Sequence, residues 1–259
     1  MTMSHPWILA EQTHAFIRSQ NWEAAVLPFG ATEPHNLHMP YATDNYQVGE
    51  IGKRACEKAY HAGAKVLLLP TIPFGVNTNH LRVPGGLALS VTPTTLLHML
   101  TDLVESLEVQ GIKKLVLLNG HGGNELKPLS RQLHRRTSMF LCVCDWYRMA
   151  TDQYSKIFVQ PGEHADEVET SLGLAFFPEL LKPDLADEGA ARPTRFDAIN
   201  RGWVSITRPW HLVSKNTGLG DPSAATAEKG RMLMDVLVER LGVFLVQLSQ
   251  MAMDEKFPY

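Results

Sequence analysis

The chain has 259 residues, 44% of them hydrophobic, and a formal net charge of −3. A chain of this length can bury a sizeable core, and because no linker or internal repeat interrupts it, we predict one domain over residues 1–259. The slightly acidic balance, without long runs of one sign, argues against nucleic acid as a partner.

The sequence shows no sign of export, membrane insertion or disulfide formation. Residues 1–14 have no basic segment followed by an apolar run, so we expect no secretion. No apolar run approaches the roughly 20 residues that cross a bilayer, so no membrane partner is expected. The three cysteines cannot build a disulfide framework, and Cys142 and Cys144 are expected to be small buried hydrophobes rather than metal ligands. A cytoplasmic location fits these features.

Predicted helices and strands alternate along the chain. Continuous apolar runs predict four strands, at 24–29, 65–69, 114–118 and 139–144. Helical spacing predicts helices at 6–19, 45–62, 93–110, 125–136, 163–181 and 224–248, with Thr92 capping the third. The segment 183–222 has little periodicity. Because the strands are apolar throughout rather than alternating, we predict an α/β fold with a mainly parallel sheet covered on both faces.

Polar side chains crowd the loop that follows the first predicted strand. Residues 30–44 carry two carboxylates and two histidines, namely Glu33, His35, His38 and Asp44. Carboxylates and imidazoles in one loop are typical of a metal site. Taken alone, the pattern fits an exposed polar loop equally well.

Two further polar loops follow predicted strands. The loop at 71–90 carries His80, and the segment NGHGGN at 119–124 carries His121 among glycines. Because ligands bind at the carboxyl ends of the strands in parallel sheets, we expect the three loops to share one edge. A glycine-rich phosphate loop is the competing interpretation of NGHGGN, but it contains neither G-x-G-x-x-G nor G-x-x-x-x-G-K.

An acidic segment, GEHADEVETSL at 162–172, contains the remaining candidates, His164 and Glu169. Carboxylates at a helix N-terminus are favoured by the helix dipole, so a solvated first turn is one interpretation. Glu169 precedes Leu172 and Phe176 by three and seven residues, which places it beside the apolar face of the helix. A carboxylate buried there needs a partner, and a cation would provide one.

Four motifs occur in order along the chain. They are E-x-H-x-x-H-x-P-x-x-T-D at 33–44, H-x-x-x-P-G at 80–85, N-G-H-G-G-N at 119–124 and H-A-x-E-x-E-T-S at 164–171. Together they resemble the creatininase (creatinine amidohydrolase) family, and the segment 218–230 resembles the C-terminal region of that family. The resemblance implies a three-layer α/β/α fold, a homohexamer, and two divalent metal ions, with zinc expected before manganese or iron.

The resemblance also assigns roles to individual residues. It implies five metal ligands, with Glu33 and His121 on one ion, His35 and Glu169 on the other, and Asp44 bridging both. His164 resembles the catalytic histidine of the family, and we count Glu169 with it among the catalytic residues. His38 and His80 match positions near the site, and His38 is expected to be a neighbour rather than a ligand.

The chain differs from the creatinine-hydrolysing branch of that family. Members of that branch carry Tyr-Glu after Asn-Gly-His, with the glutamate on metal, where this chain has Gly122 and Gly123. Pro34, Asn36 and Leu37 also differ from the common family motif. These differences indicate a branch other than creatinine-hydrolysing creatininase.

The resemblance therefore implies a dinuclear metal-dependent amidohydrolase that cleaves a C–N bond of a small cyclic or linear amide with a metal-activated water. The alternatives are a formamide deformylase or peptide-trimming relative in the same family, or a metal-binding protein without hydrolytic activity. Four residues are candidates for the substrate pocket, although ordinary packing or a subunit contact is the favoured interpretation of each one: Trp146, Trp203, Arg208 and Trp210.

Overall fold

A parallel sheet forms the centre of the computed structural model, which describes residues 5–259. Within those residues four strands pair in the order β2-β1-β3-β4, and every pairing between them is parallel. Their bounds are β1 Ala24–Phe29, β2 Val66–Leu68, β3 Lys114–Asn119 and β4 Phe140–Asp145. The predicted mainly parallel α/β fold is confirmed.

Helices cover both faces of this sheet. Successive strand residues point to opposite faces, so Val26 and Val116 belong to one apolar core whereas Leu27 and Leu117 belong to the other. Both faces are therefore apolar, which explains the continuous hydrophobic runs in the sequence. The first core is completed by α2 Thr43–His61, α6 Glu167–Phe176 and α9 Ala227–Gln250, and the second by α3 Pro93–Val109 and α4 Leu126–Leu133.

Side-chain caps mark where two of the long helices, α3 and α9, begin. The Thr92 hydroxyl accepts a hydrogen bond from the Thr95 amide at 3.2 Å and begins α3, as predicted. Thr226 caps α9 in the same way through the Lys229 amide at 3.2 Å. Each cap satisfies an amide that the first helical turn leaves without a partner.

Three predicted helices are shorter than expected. The 6–19 helix is reduced to a 3₁₀ turn at Leu9–Glu11 and α1 at His14–Arg18, and the 125–136 helix to α4. The 163–181 helix begins only at Glu167, because Asp166 is its cap and accepts from the Glu169 amide at 3.0 Å. His164 therefore lies before the helix and not in it.

Short helices also occur where none was predicted. They are α5 Thr151–Ile157, α7 Asp197–Asn200 and α8 Trp210–Val213, with 3₁₀ turns at Trp146–Arg148 and Pro183–Leu185. A further 3₁₀ turn, at Pro178–Leu180, lies in the C-terminal part of the predicted 163–181 helix. These elements are too short for hydrophobic periodicity to reveal. Across residues 5–259, no helix combines the length and the apolar character needed to cross a membrane.

Candidate metal centre

Loops from the two central strands meet at the carboxyl edge of the sheet. Because β1 and β3 are neighbours in register, the loops after Phe29 and Asn119 start side by side, and the Gly120 amide donates to the Phe29 carbonyl at 2.7 Å. Asp44 lies in the first turn of α2 at the same edge. The topology therefore brings together the loop after β1, the NGHGGN segment and the start of α2, as parallel α/β sheets generally do.

His121 points one ring nitrogen at two carboxylates. Its Nδ1 lies 3.1 Å from Glu33 Oε1 and 3.2 Å from Asp44 Oδ2. Its Nε2–H donates to the Val76 carbonyl at 3.3 Å, which leaves Nδ1 as the nitrogen that faces the two carboxylates and that would bind a metal ion once deprotonated. A histidine held this way by a backbone carbonyl is in the tautomer that binds metal.

In His35 the two ring nitrogens exchange these roles, with Nδ1 toward the backbone and Nε2 toward the carboxylates. Its Nδ1–H donates to the Glu33 backbone carbonyl at 3.0 Å, and its Nε2 lies 3.0 Å from Asp44 Oδ1 and 4.0 Å from Glu169 Oε2. Asp44 therefore stands between the two histidines, with one carboxylate oxygen toward each.

Glu169 approaches the same group from α6. Its Oε2 accepts the Ala165 amide at 2.6 Å, and its side chain is 13% exposed. Burial raises the pKa of Glu169 to about 8 against the opposing charge of His35, with Asp44 and Asp166 adding to the rise. The sequence-based expectation that this carboxylate lies inside rather than in a solvated turn agrees with its position.

Three overlapping groups of these side chains could hold a metal ion, each with ligand atoms within 4.8 Å of one another. Two of the groups share Asp44 and two share Glu33. The groups are Glu33, His35 and His164; Glu33, Asp44 and His121; and His35, Asp44 and Glu169. All five residues that the sequence resemblance implied as ligands are thus brought together, along with His164.

The donor atoms of these groups fit a divalent cation. Glu33 Oε2 and Asp44 Oδ2 are buried without a hydrogen-bond partner, although histidine nitrogens lie 3.1 and 3.2 Å away. These contacts have the distance of a hydrogen bond but not its alignment. A buried carboxylate oxygen without a partner is costly, and a cation between converging oxygen and nitrogen atoms would offset that cost.

The electrostatics of the site favour positive charge. Burial alone would raise the pKa of Glu33 and Asp44, but the neighbouring histidines hold both well below the usual carboxyl range. Burial likewise opposes a charged His35, yet Asp44 and Glu169 raise its pKa to about 10. Groups of acids and imidazoles with such opposed shifts are typical of functional sites.

His164 is held beside this cluster by a backbone pairing. Its amide donates to the Leu219 carbonyl at 3.2 Å and its carbonyl accepts from the Leu219 amide at 2.8 Å. Its Nε2–H donates to the Pro34 carbonyl at 3.1 Å, so Nδ1 is the free nitrogen, 3.7 Å from Glu33 Oε1. Burial and the nearby His35 lower the pKa of His164 to about 4, so the ring is neutral at pH 7.

The two remaining histidines lie outside the metal-binding groups found among the described residues. His38 Nε2 bonds the Thr170 hydroxyl at 2.8 Å, which agrees with its expected place as a neighbour. His80 places Nδ1 3.1 Å from Glu33 Oε2 and stacks on Trp210 with ring centroids 4.7 Å apart. His80 therefore contacts a candidate ligand without belonging to a group itself.

Asparagines that the sequence analysis did not single out hold the loops in place. Asn124 accepts from the Val76 amide and donates to the Gly30 carbonyl, each at 3.0 Å. Asn119 Oδ1 accepts from the His121 amide at 3.2 Å. Both asparagines belong to NGHGGN, so the signal was present in the motif, but only their contacts reveal the role.

Two cavities open onto the cluster. The larger, of about 680 Å³, and the smaller, of about 320 Å³, share Glu33, His121 and His164 among their lining residues. Of the predicted pocket residues, Trp210 lines the larger cavity, Trp146 the smaller and Arg208 both. Trp203 lines neither of these two cavities and is 73% exposed.

Cys142 and Cys144 are partly buried on β4 and pack against the first core, as expected of small hydrophobes. Burial raises the pKa of the Cys142 thiol to about 12 and that of Cys144 to about 11. Neither cysteine belongs to a metal-binding group in the part of the chain that the structure describes.

A family model described as "Creatininase: Creatinine amidohydrolase" matches residues 10–245. The chain belongs to the creatininase family. The resemblance seen in the four motifs is thereby confirmed. A crystal structure of a candidate creatinine amidohydrolase from Bacteroides fragilis has the same fold as this creatininase-family chain, with a TM-score of 0.90, 30% identity, and coverage of 98% of this chain and 100% of that one.

Relatives outside creatininase itself also match this creatininase-family chain. The mycofactocin precursor peptide peptidase of Mycobacterium ulcerans is 27% identical over 226 residues, which is 84% of this chain and 82% of the relative. The 3-dehydro-scyllo-inosose hydrolase of Thermotoga maritima is 26% identical over 249 residues, which is 86% of this chain and 77% of the relative. The predicted similarity to branches other than creatininase is confirmed.

Solved creatininases with the same fold include a point mutant of Zn–Zn type and a manganese form. The Zn–Zn structure has a TM-score of 0.76 and 23% identity, with coverage of 96% of this chain and 100% of that one.

Proposed function

We propose that this chain is a dinuclear metal-dependent hydrolase that cleaves a C–N bond in a small cyclic or linear amide. The observation that carries the proposal is the convergence of Glu33, His35, Asp44, His121 and Glu169 from separate elements, with buried carboxylate oxygens that lack partners. Glu33 and His121 would hold one ion, His35 and Glu169 the other, and Asp44 would serve both. Zinc is the first expectation for the ions, with manganese or iron as alternatives.

Bound metal would supply a Lewis acid for the amide carbonyl and a water of lowered pKa. The protein's own contribution is orientation and proton transfer. His164 is buried and neutral, and Pro34 holds its Nε2–H, so Nδ1 can take a proton from the attacking water and pass it to the leaving nitrogen. The backbone pairing with Leu219 keeps that ring in position.

The names of the relatives agree on hydrolysis but do not agree on one type of bond. One relative is named as a peptidase and another as a hydrolase of 3-dehydro-scyllo-inosose. The choice of an amide C–N bond rests on the creatinine amidohydrolase family.

The decisive experiment compares metal-loaded protein with chelated protein on lactams, formamides and short peptides. We expect two equivalents of metal per chain and hydrolysis of one amide class that stops on chelation and returns with zinc or manganese. Two bound equivalents without hydrolysis of any compound would instead favour the alternative of a metal-binding protein without activity.

Peptide trimming is the second candidate function. The mycofactocin precursor peptide peptidase match favours it, and so does the larger cavity, because about 680 Å³ is ample for a short peptide segment. Hydrolysis of short peptides but of no lactam or formamide would establish this candidate. Homohexamer assembly and a cytoplasmic location stay predictions from the sequence resemblance and composition.

A further inference from the structure

Arg208 occupies a distinctive place in the two cavities. It lines both of them, and it is the one lysine or arginine among the lining residues that the structure describes. The other titratable lining residues are histidines, tyrosines and carboxylates: His80, His121, His164, Tyr147, Tyr154, Glu33, Asp44, Glu125, Glu163, Asp166 and Glu169. Arg208 is therefore the residue that could attract an anionic part of a substrate.

A buried tryptophan fixes the chain next to Arg208. The Trp210 amide donates to the Asn79 carbonyl at 3.1 Å, and its ring packs on His80 and His164 with centroids 4.7 and 4.8 Å away. The guanidinium carbon of Arg208 lies 5.7 Å from the Trp210 ring centroid, within cation–π range. Arg208 is thus tied to the same ring that packs on the candidate catalytic histidine.

The ion-pair partner of Arg208, Glu163, can easily be replaced by another carboxylate. Its Nη2 donates to Glu163 Oε2 at 2.8 Å, but the two side chains are 45% and 65% exposed. An ion pair this exposed contributes little stability, so a better-placed carboxylate can displace Glu163 at small cost. A guanidinium offers a planar pair of N–H donors that matches a carboxylate in two parallel hydrogen bonds.

We propose that Arg208 determines specificity by binding a carboxylate of the substrate, which takes the place of Glu163. The substrate class is an amide with a carboxylate near the scissile bond, such as an N-acyl amino acid or the C-terminal end of a peptide. This inference rests on the proposed function for the amide and adds the anionic group. No covalent step involves Arg208.

The test compares two probes that share the N-formylglycyl part and differ at its carboxyl end, the anionic acid N-formylglycine and its neutral methylamide. Their dissociation constants are measured by calorimetry on the metal-loaded protein under conditions in which no formate is released during the titration, so the heat measured is that of binding. We expect tighter binding of the acid than of the methylamide. Arg208→Gln should weaken binding of the acid by about tenfold or more and leave binding of the methylamide unchanged. Arg208→Lys should give an intermediate loss, because a point charge keeps attraction but not the paired hydrogen bonds.

Glu163→Gln should strengthen binding of the acid, because it removes the carboxylate that competes for Arg208. Arg201→Gln is the matched control, since Arg201 pairs with exposed Asp197 at 2.8 Å and lines neither cavity. Equal binding of the two probes, no binding of the acid, or equal weakening of both by Arg208→Gln would overturn the inference. Formate release is measured in a separate assay. Binding of the acid through Arg208 without formate release would therefore count against the hydrolase proposal and not against this inference.

Discussion

At the scale of single residues, backbone carbonyls decide which histidine nitrogen faces the cluster. His35 gives Nδ1–H to the Glu33 carbonyl and His121 gives Nε2–H to the Val76 carbonyl, so opposite nitrogens are free in the two rings. Because fixed main-chain atoms hold one nitrogen of each ring, the other nitrogen faces Asp44, where it can donate to the carboxylate when protonated and would bind a metal ion when deprotonated.

Glu169→Gln tests the second candidate ion directly. The substitution keeps the size of the side chain but removes its charge, so we expect about one equivalent of metal to be lost per chain. The rate on any amide substrate should fall on the order of 100-fold, because the reaction loses part of its Lewis acid. Metal content by plasma mass spectrometry and steady-state kinetics measure the two effects.

Glu50→Gln is the control for that substitution. Glu50 pairs with Arg54 on the surface of α2 and belongs to no metal-binding group in residues 5–259. Full metal content together with undiminished turnover in the Glu169→Gln protein would remove Glu169 from the proposed site.

At the scale of elements, the site depends on a close approach between the loop after β3 and the start of α2. A Cβ built on Gly120 would lie 2.8 Å from the Val48 Cβ and 3.2 Å from the Asp44 carbonyl oxygen. Both neighbours are fixed, one by the core and one by the helix backbone. Only glycine lets His121 come within reach of Asp44.

Gly120→Ala should therefore separate these two elements. We expect a loss of about 1–3 kcal/mol in the free energy of unfolding, typical of overpacking, together with weaker metal binding. Urea denaturation and metal titration measure the two quantities. Gly122→Ala is the matched control in the same loop, because nothing lies within 4 Å of a Cβ there, and it should match the wild type in stability. Equal stability of the two variants would contradict the close-approach argument.

At the scale of the whole molecule, the candidate ligands come from three stretches far apart in the chain, 33–44, 121 and 164–169. Only the folded chain brings them together, so metal binding and folding are coupled. We expect saturating metal to raise the free energy of unfolding, by about 4 kcal/mol at a thousandfold excess over the dissociation constant. Calorimetric unfolding with zinc and with chelator measures this. An unchanged midpoint, with metal bound, would mean that the ions bind the unfolded chain as tightly as the folded one, and so not at a site that folding assembles.

The sequence by itself determined the elements of the core and the candidate ligands. Apolar runs and capping residues are local signals, so strands such as Ala24–Phe29 and the start of α3 at Pro93 could be predicted. The resemblance of the spaced motifs to the creatininase family implied Glu33, His35, Asp44, His121 and Glu169 as ligands, and all five side chains are of types that bind metal. The prediction of one domain over residues 1–259 rests on the same local evidence.

Only the tertiary structure decided how those parts meet. The neighbouring positions of β1 and β3 place His121 beside Glu33, and no local pattern encodes which strands pair. The helix at α6 begins at Glu167, because Asp166 caps it and Leu219 holds His164 in an extended pairing. Arg208 reaches both cavities from a segment without periodicity. Such contacts depend on long-range packing, which the local sequence does not encode.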